Sequence, residues 1–231
     1  MKSIYKLVII LALSITICAC KTFKSAKVEN FTVSMSSPQI MVGEVELQMD
    51  TLMGLGKLKK QNVTVLYFPK EDAFCLKYRF EFYTFHQFWS KKGRIYFLNA
   101  LQKYNEDYNA RDLQKSSKSH LKYGTVRGYL VWQMFKYTIQ AHANMNVDLG
   151  YIFKDNSPYF TIHQCDAEYI DSVSRDSNRT SQVVTMYFTR AQAAELAALF
   201  EQQIVPGETE ADEYQESSTP APANDPLKDV Y

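Results

Sequence analysis

His163 and Cys165, two positions apart on one extended run, are the nearest thing in this chain to a reactive pair. On a strand, residues i and i+2 share a face, and an imidazole beside a thiol is half of a zinc site. Such sites take three or four protein ligands, and His142, on another predicted strand, is the candidate third. No CxxC or HExxH spacing reinforces the set, so ordinary sheet residues and no metal are the plainer reading. Cys75 and Cys165 both fall on predicted strands. In a chain exported from the cytoplasm they are a candidate disulfide, which requires Cα atoms within roughly 7 Å; two buried thiols are the alternative. Asp166 and Glu168 share a strand face, as do Glu44 and Glu46. Paired carboxylates at this spacing are usually solvated, and nothing selects these for acid–base work. GxSxG, P-loop and GxGxxG patterns are absent, so the chain is expected to be non-catalytic, with no cofactor.

A different chemistry sits at the N-terminus. Lys2 and Lys6 precede an apolar run, Leu7 to Ala19 (LVIILALSITICA), and the small Ala19 stands directly before Cys20. Thirteen helical residues rise roughly 20 Å, short of a hydrocarbon core of roughly 30 Å. An export signal fits better than a permanent span. Ile17-Cys18-Ala19-Cys20 resembles the lipobox of bacterial lipoproteins. That resemblance implies cleavage before Cys20 and lipid on its thiol. Cys18 is the rival acceptor, but Ile17 before it is bulkier than the residue such motifs carry. One acyl chain binds a membrane only marginally, so two or three would be needed to hold the protein. Lys21, Lys24 and Lys27 would then lie near anionic headgroups. Lys21 is not the Asp that retains proteobacterial lipoproteins at the inner membrane, which implies the outer one. Composition, aromatic content and tail also resemble uncharacterised envelope lipoproteins of spirochaetes.

These features divide the 231 residues into a signal peptide (1–19), a lipidated tether (20–27), one domain (28–206) and an acidic tail (207–231). The tail holds seven acidic residues against Lys228 and is too polar to pack. Sixteen Tyr and fourteen Phe against eight Gly favour a strand-rich body. Period-two runs predict strands at Asn30–Ser36, around Val45, Leu47 and Met49, at Val63–Phe68, and at Phe74–Phe82. Ile95, Leu98, Leu101, Tyr104 and Tyr108 then recur at three and four, predicting a helix from Phe88 or Ser90 to Asp112. A second strand-rich stretch follows. Val126–Ala143 reads as one bent strand or two, with Phe135, Tyr137 and Ile139 alternating. Val147–Phe153, Tyr159–Ile170 and Gln182–Phe188 come next. Thr189 and Gln192 form a capping box opening a last helix, which Pro206 stops.

The expected fold is α+β: an antiparallel sheet of seven or eight strands with two amphipathic helices packed on one face, and a strand-rich/helix unit that reads as a duplication. The expected function is that of a membrane-anchored, non-catalytic interaction or ligand-binding module, binding a protein or small ligand and no nucleic acid. A lipid carrier would need a cavity between sheet and helices. An envelope hydrolase would need a nucleophile brought to His142 or His163. The aromatic stretches Tyr78–Trp89 and Trp132–Tyr137 are candidate glycan or lipid surfaces, though core packing explains them as well.

Overall fold

In the computed structural model, which describes residues 29–50, 58–116, 120–134, 140–168 and 180–202, eight strands pair in chain order. They are β1 (Ile40–Asp50), β2 (Leu58–Phe68), β3 (Ala73–Phe80), β4 (Tyr83–Ser90), β5 (Leu121–Met134), β6 (Ala141–Lys154), β7 (Ser157–Gln164) and β8 (Val184–Phe188). Each is antiparallel to the next, and β8 returns to β1 through Gln48 opposite Tyr187 and Met49 opposite Met186. The result is a closed barrel. This corrects the open sheet expected from the sequence: with both edge strands paired to each other, no free edge remains, and the two helices have no flat face to lie on.

The alternation read from the sequence becomes inside and outside. Phe74, Leu76, Tyr78 and Phe80 of β3 point inward with Val45, Leu47, Phe85, Trp89, Leu130, Trp132, Met145, Leu149, Phe160 and Met186, and all are buried. Lys77 faces out. Helix α1 (Lys91–Ala110) leaves β4, and α2 (Arg190–Glu201) follows β8, so both lie at the same end of the barrel. Ser90 caps α1 by accepting from the Gly93 amide (3.2 Å). Thr189 and Gln192 form the expected capping box on α2. Phe200 of α2 meets Phe74, Trp89 and Phe97 at ring distances of 5.5, 5.8 and 5.2 Å. Phe97 and Tyr104 of α1 meet Phe160 at 5.7 and 5.6 Å. The helices therefore plug one end with aromatic rings, each contributing about 1.5–3 kcal/mol by burial.

Two further differences from the sequence reading have physical causes. Asn30–Ser36 is not a strand; it crosses the outside of the barrel as a strap. The Phe31 amide donates to Asn144 Oδ1 (3.0 Å), and Ser37 Oγ donates to Glu71 Oε1 (2.6 Å). Its alternate residues Phe31, Val33 and Met35 seal a second apolar cluster on the outer wall, made by Leu66, Phe68, Ala73, Cys75, Phe88, Tyr129 and Val131. In β4 the outward Phe88 is buried under the strap and the inward Gln87 is polar between Phe85 and Trp89, so the alternation is broken and does not mark the strand. The order is nonetheless four strands and a helix, twice over.

Gly150 permits one close approach. A β-carbon there would lie 2.1 Å from the Leu121 carbonyl oxygen and 3.0 Å from His120 Nε2. The β5 register shifts between Lys122 and Gly124, and this irregularity folds His120 and Lys122 down onto β6.

Candidate functional site

Among the described residues, the end of the barrel away from the helices carries a cleft of about 430 Å³, lined by Met49, Asp50, Lys59, Gln61, Arg79, Phe80, Glu81 and Phe82. Strand register explains the lining. Val45 faces Val63 inside the barrel, so two and four residues further along the hairpin Leu47 faces Gln61 and Met49 faces Lys59, also inward. Gln61 and Lys59 thus put an amide and an ammonium on positions that deeper in the barrel are apolar. Lys59 makes no ion pair among the described residues. Phe80 forms the floor, and Phe82, 68% exposed at the β3–β4 turn, forms a lip beside Glu81 in a left-handed conformation (φ 53°). Mouths of barrels are where this architecture takes ligands.

Below the mouth the interior is filled. Tyr78 Oη donates to Gln164 Oε1 (2.5 Å), as does Gln87 Nε2 (3.3 Å), and Trp89 Nε1 donates to Gln87 Oε1 (3.2 Å). Gln164 Nε2 donates to the Gln182 carbonyl (3.0 Å). The buried Tyr78, Gln87, Trp89 and Gln164 thus pair their polar atoms with one another and with the Gln182 carbonyl. They are surrounded by Phe85, Trp132 and Phe160. Between barrel and helices, where a lipid carrier would need its cavity, Trp89, Phe97, Tyr104 and Phe200 pack together, leaving a cleft of about 370 Å³ at the edge lined by Tyr67, Phe74, Arg94, Leu98 and Phe200.

The structure brings His163 and Cys165 together, as their spacing predicts, but the third residue is Asp148. Ligand atoms of Asp148, His163 and Cys165 lie within 4.8 Å of one another on the outer wall. His142 lies six residues away along β6, roughly 20 Å at strand rise, against Tyr129. Asp148 Oδ1 accepts from Thr125 Oγ1 (2.6 Å), while Oδ2 takes Lys122 Nζ and lies 3.8 Å from Cys165 Sγ. His163 Nδ1 meets Thr185 Oγ1 at 2.8 Å, and the His120 ring stands 5.7 Å from that of His163. Burial works to raise the Asp148 pKa, yet the bonds from Lys122 and Thr125 hold it below the ordinary carboxylate value. Burial lowers both imidazoles, His120 to about 4 with further help from His163. Burial, then the Asp148 charge, push the Cys165 thiol up to about 11.

Sequence reasoning found neither Asp148 nor His120. The only available signal was that Asp148 is a charged residue in the run Val147–Tyr151, which otherwise reads as apolar.

Cys75 and Cys165 are free thiols, the alternative to the candidate disulfide. They sit on the outer faces of β3 and the end of β7, four strands apart in an eight-strand ring and so on opposite sides. The carboxylates Asp166 and Glu168 are exposed, while Glu44 and Glu46 bond outward to Thr64 (3.3 Å) and Lys60 (2.8 Å). The aromatics of Tyr78–Trp89 are largely core, as is Trp132. Cys20, the tether, the acidic tail and the run Phe135–Ile139 lie outside the described residues.

No curated protein and no solved structure matches the chain. A family described as "Uncharacterised Treponema protein" matches over residues 20–205. That match takes in every strand and both helices, and the chain belongs to this spirochaete family.

Proposed function

We propose that this chain is a lipid-anchored envelope lipoprotein whose barrel is a non-catalytic binding module, taking a small ligand or a partner's side chain at its open mouth. The observation that carries the binding reading is the inward-facing pair Lys59 and Gln61 over the Phe80 floor, at the end of the barrel away from the helices. An ammonium and an amide on an aromatic floor suit an anionic group attached to an apolar or planar body. The anchor rests on Ile17-Cys18-Ala19-Cys20 alone. The outer membrane is the proposed location. The filled interior weighs against carriage of a whole lipid.

The test is native mass spectrometry of the full chain, taken from membranes in detergent. The expected result is a non-covalent adduct that Lys59→Glu abolishes while the fold persists. A long-chain lipid adduct indifferent to Lys59→Glu would sink the mouth reading. Separately, intact mass and membrane fractionation of Cys20→Ser test the anchor: a variant still lipidated and normally processed would overturn it.

A further inference from the structure

We infer that the outer wall of the barrel carries a transition-metal site, in which Asp148, His163 and Cys165 bind a divalent ion, Zn²⁺ by their chemistry. This goes beyond the mouth and does not depend on it. The three residues come from neighbouring strands: Asp148 is opposite His163 in the β6–β7 register. Cys165 follows two residues later, and its amide is tied to the Asn146 carbonyl (3.0 Å). Backbone pairing therefore fixes the donor set.

The spacing suits the ion. Bonds of about 2.0 Å to oxygen and 2.3 Å to sulfur place tetrahedral O and S ligands about 3.6 Å apart. Cys165 Sγ and Asp148 Oδ2 are already 3.8 Å apart. The 4.8 Å spread of the whole set closes with small rotations of the partly buried His163 and Cys165 side chains onto the buried Asp148. A thiolate, an imidazole and a carboxylate together select zinc over magnesium or calcium, which prefer oxygen alone.

The surroundings fit as well. Thr185 Oγ1 engages His163 Nδ1, fixing the ring and leaving Nε2 as the nitrogen free to ligate, the usual support for a metal-bound histidine. Thr125 holds the other oxygen of Asp148. His120 is the nearest further imidazole, and its Nδ1 is buried with no hydrogen-bond partner among the described residues. With three protein ligands, water takes the fourth position.

One group competes. Lys122 Nζ occupies Asp148 Oδ2, where the ion would bind. Its side chain is 55% exposed, against 5% for Asp148, so it can swing into water while the carboxylate stays. Ion entry thus exchanges one cation for another: the ammonium leaves, the Cys165 thiol gives its proton to solvent, and Zn²⁺ takes the thiolate.

Co²⁺ titration of the full, tag-free chain in detergent tests this. Expected is one equivalent bound, with a thiolate-to-cobalt charge-transfer band that Zn²⁺ bleaches and that is absent from Cys165→Ser. Thr185→Val should weaken binding about 10- to 100-fold. Lys122→Met should tighten it, by about tenfold if one charge-assisted hydrogen bond to Asp148 is relieved. A variant that simply misfolds would not gain affinity. No band, a band surviving Cys165→Ser, or Lys122→Met binding no tighter than the parent would each overturn the proposal.

Discussion

The two outer walls of the barrel have opposite characters although both are made of outward-facing strand residues. Over β2 to β5 the wall is apolar, with Leu66, Phe68, Cys75, Phe88, Tyr129 and Val131 roofed by Phe31, Val33 and Met35 of the strap. Over β5 to β8 it carries Thr125, Asp148, Thr161, His163 and Thr185, with His120 and Lys122 folded onto it. Inward positions are governed by the barrel itself, which must be filled. Outward positions are governed by what covers them. The strap converts one wall into a second core, and the register shift beside Gly150 shapes the other into a polar cluster.

The largest test of this contrast is Phe88→Ala. Phe88 is fully buried beneath the strap, so the substitution should cost about 3–5 kcal/mol in urea denaturation, as in an interior core. A cost below about 1 kcal/mol would reduce the strapped wall to ordinary surface. Gly150→Ala comes next. Its β-carbon would collide with the Leu121 backbone, so β5 must move away, at about 3 kcal/mol. If it is tolerated, β5 does not rest on Gly150, and another contact must place His120 and Lys122.

Acid titration sharpens the polar wall. His120 is held neutral in the fold, its pKa lowered to about 4 from an ordinary 6.5, chiefly by burial. The unfolded chain therefore binds more protons between those values, and stability falls as pH drops from about 6.5 toward 4. His86, on the outer face of β4, is lowered to about 4 by burial and by Lys77, and acts in the same direction. His120→Asn and His86→Asn should each flatten the slope measured by thermal denaturation across that window. An unchanged slope in both would remove the histidines from the account. The smallest effect concerns the thiols. A maleimide should label half-exposed Cys165 in the native protein, slowly because its pKa stands near 11, and label buried Cys75 only on unfolding. Cys165→Ser should shift stability by no more than about 0.5 kcal/mol. Equal labelling of the two cysteines would erase the difference between the walls.

Much of the strand pattern was legible because half-buried strands such as β3 write their inside and outside as alternation. β4 was hidden because its alternation breaks at Gln87 and Phe88, where the inward position is polar and the outward one, under the strap, is apolar. The strap in turn imitated a strand, since Phe31, Val33 and Met35 alternate for the same reason strand residues do, with one side against protein. Closure was invisible: nothing local in Gln48 or Met49 says that the partner is β8, almost 140 residues away. The histidine–cysteine pair was legible as a shared face, being a matter of i and i+2. Asp148 was not, because its place beside His163 depends on the β6–β7 register.

The closing seam has a consequence for motion. Among the described residues, β5 and β6 are paired from Leu121 opposite Tyr151 to Trp132 opposite Ala141, whereas β1 and β8 share Gln48–Tyr187 and Met49–Met186. A ring opens where its ladder is shortest, so sub-global unfolding should begin at this seam, with α2, seated on Gly43 through Leu199, lifting away alongside. Amide hydrogens of Gln48, Met49 and β8 should then exchange through an opening cheaper than full unfolding, while those of β5 and β6 wait for the whole barrel to come apart. The molecule would be a hoop with a clasp: no edge to offer a neighbour while shut, and one place at which to come undone.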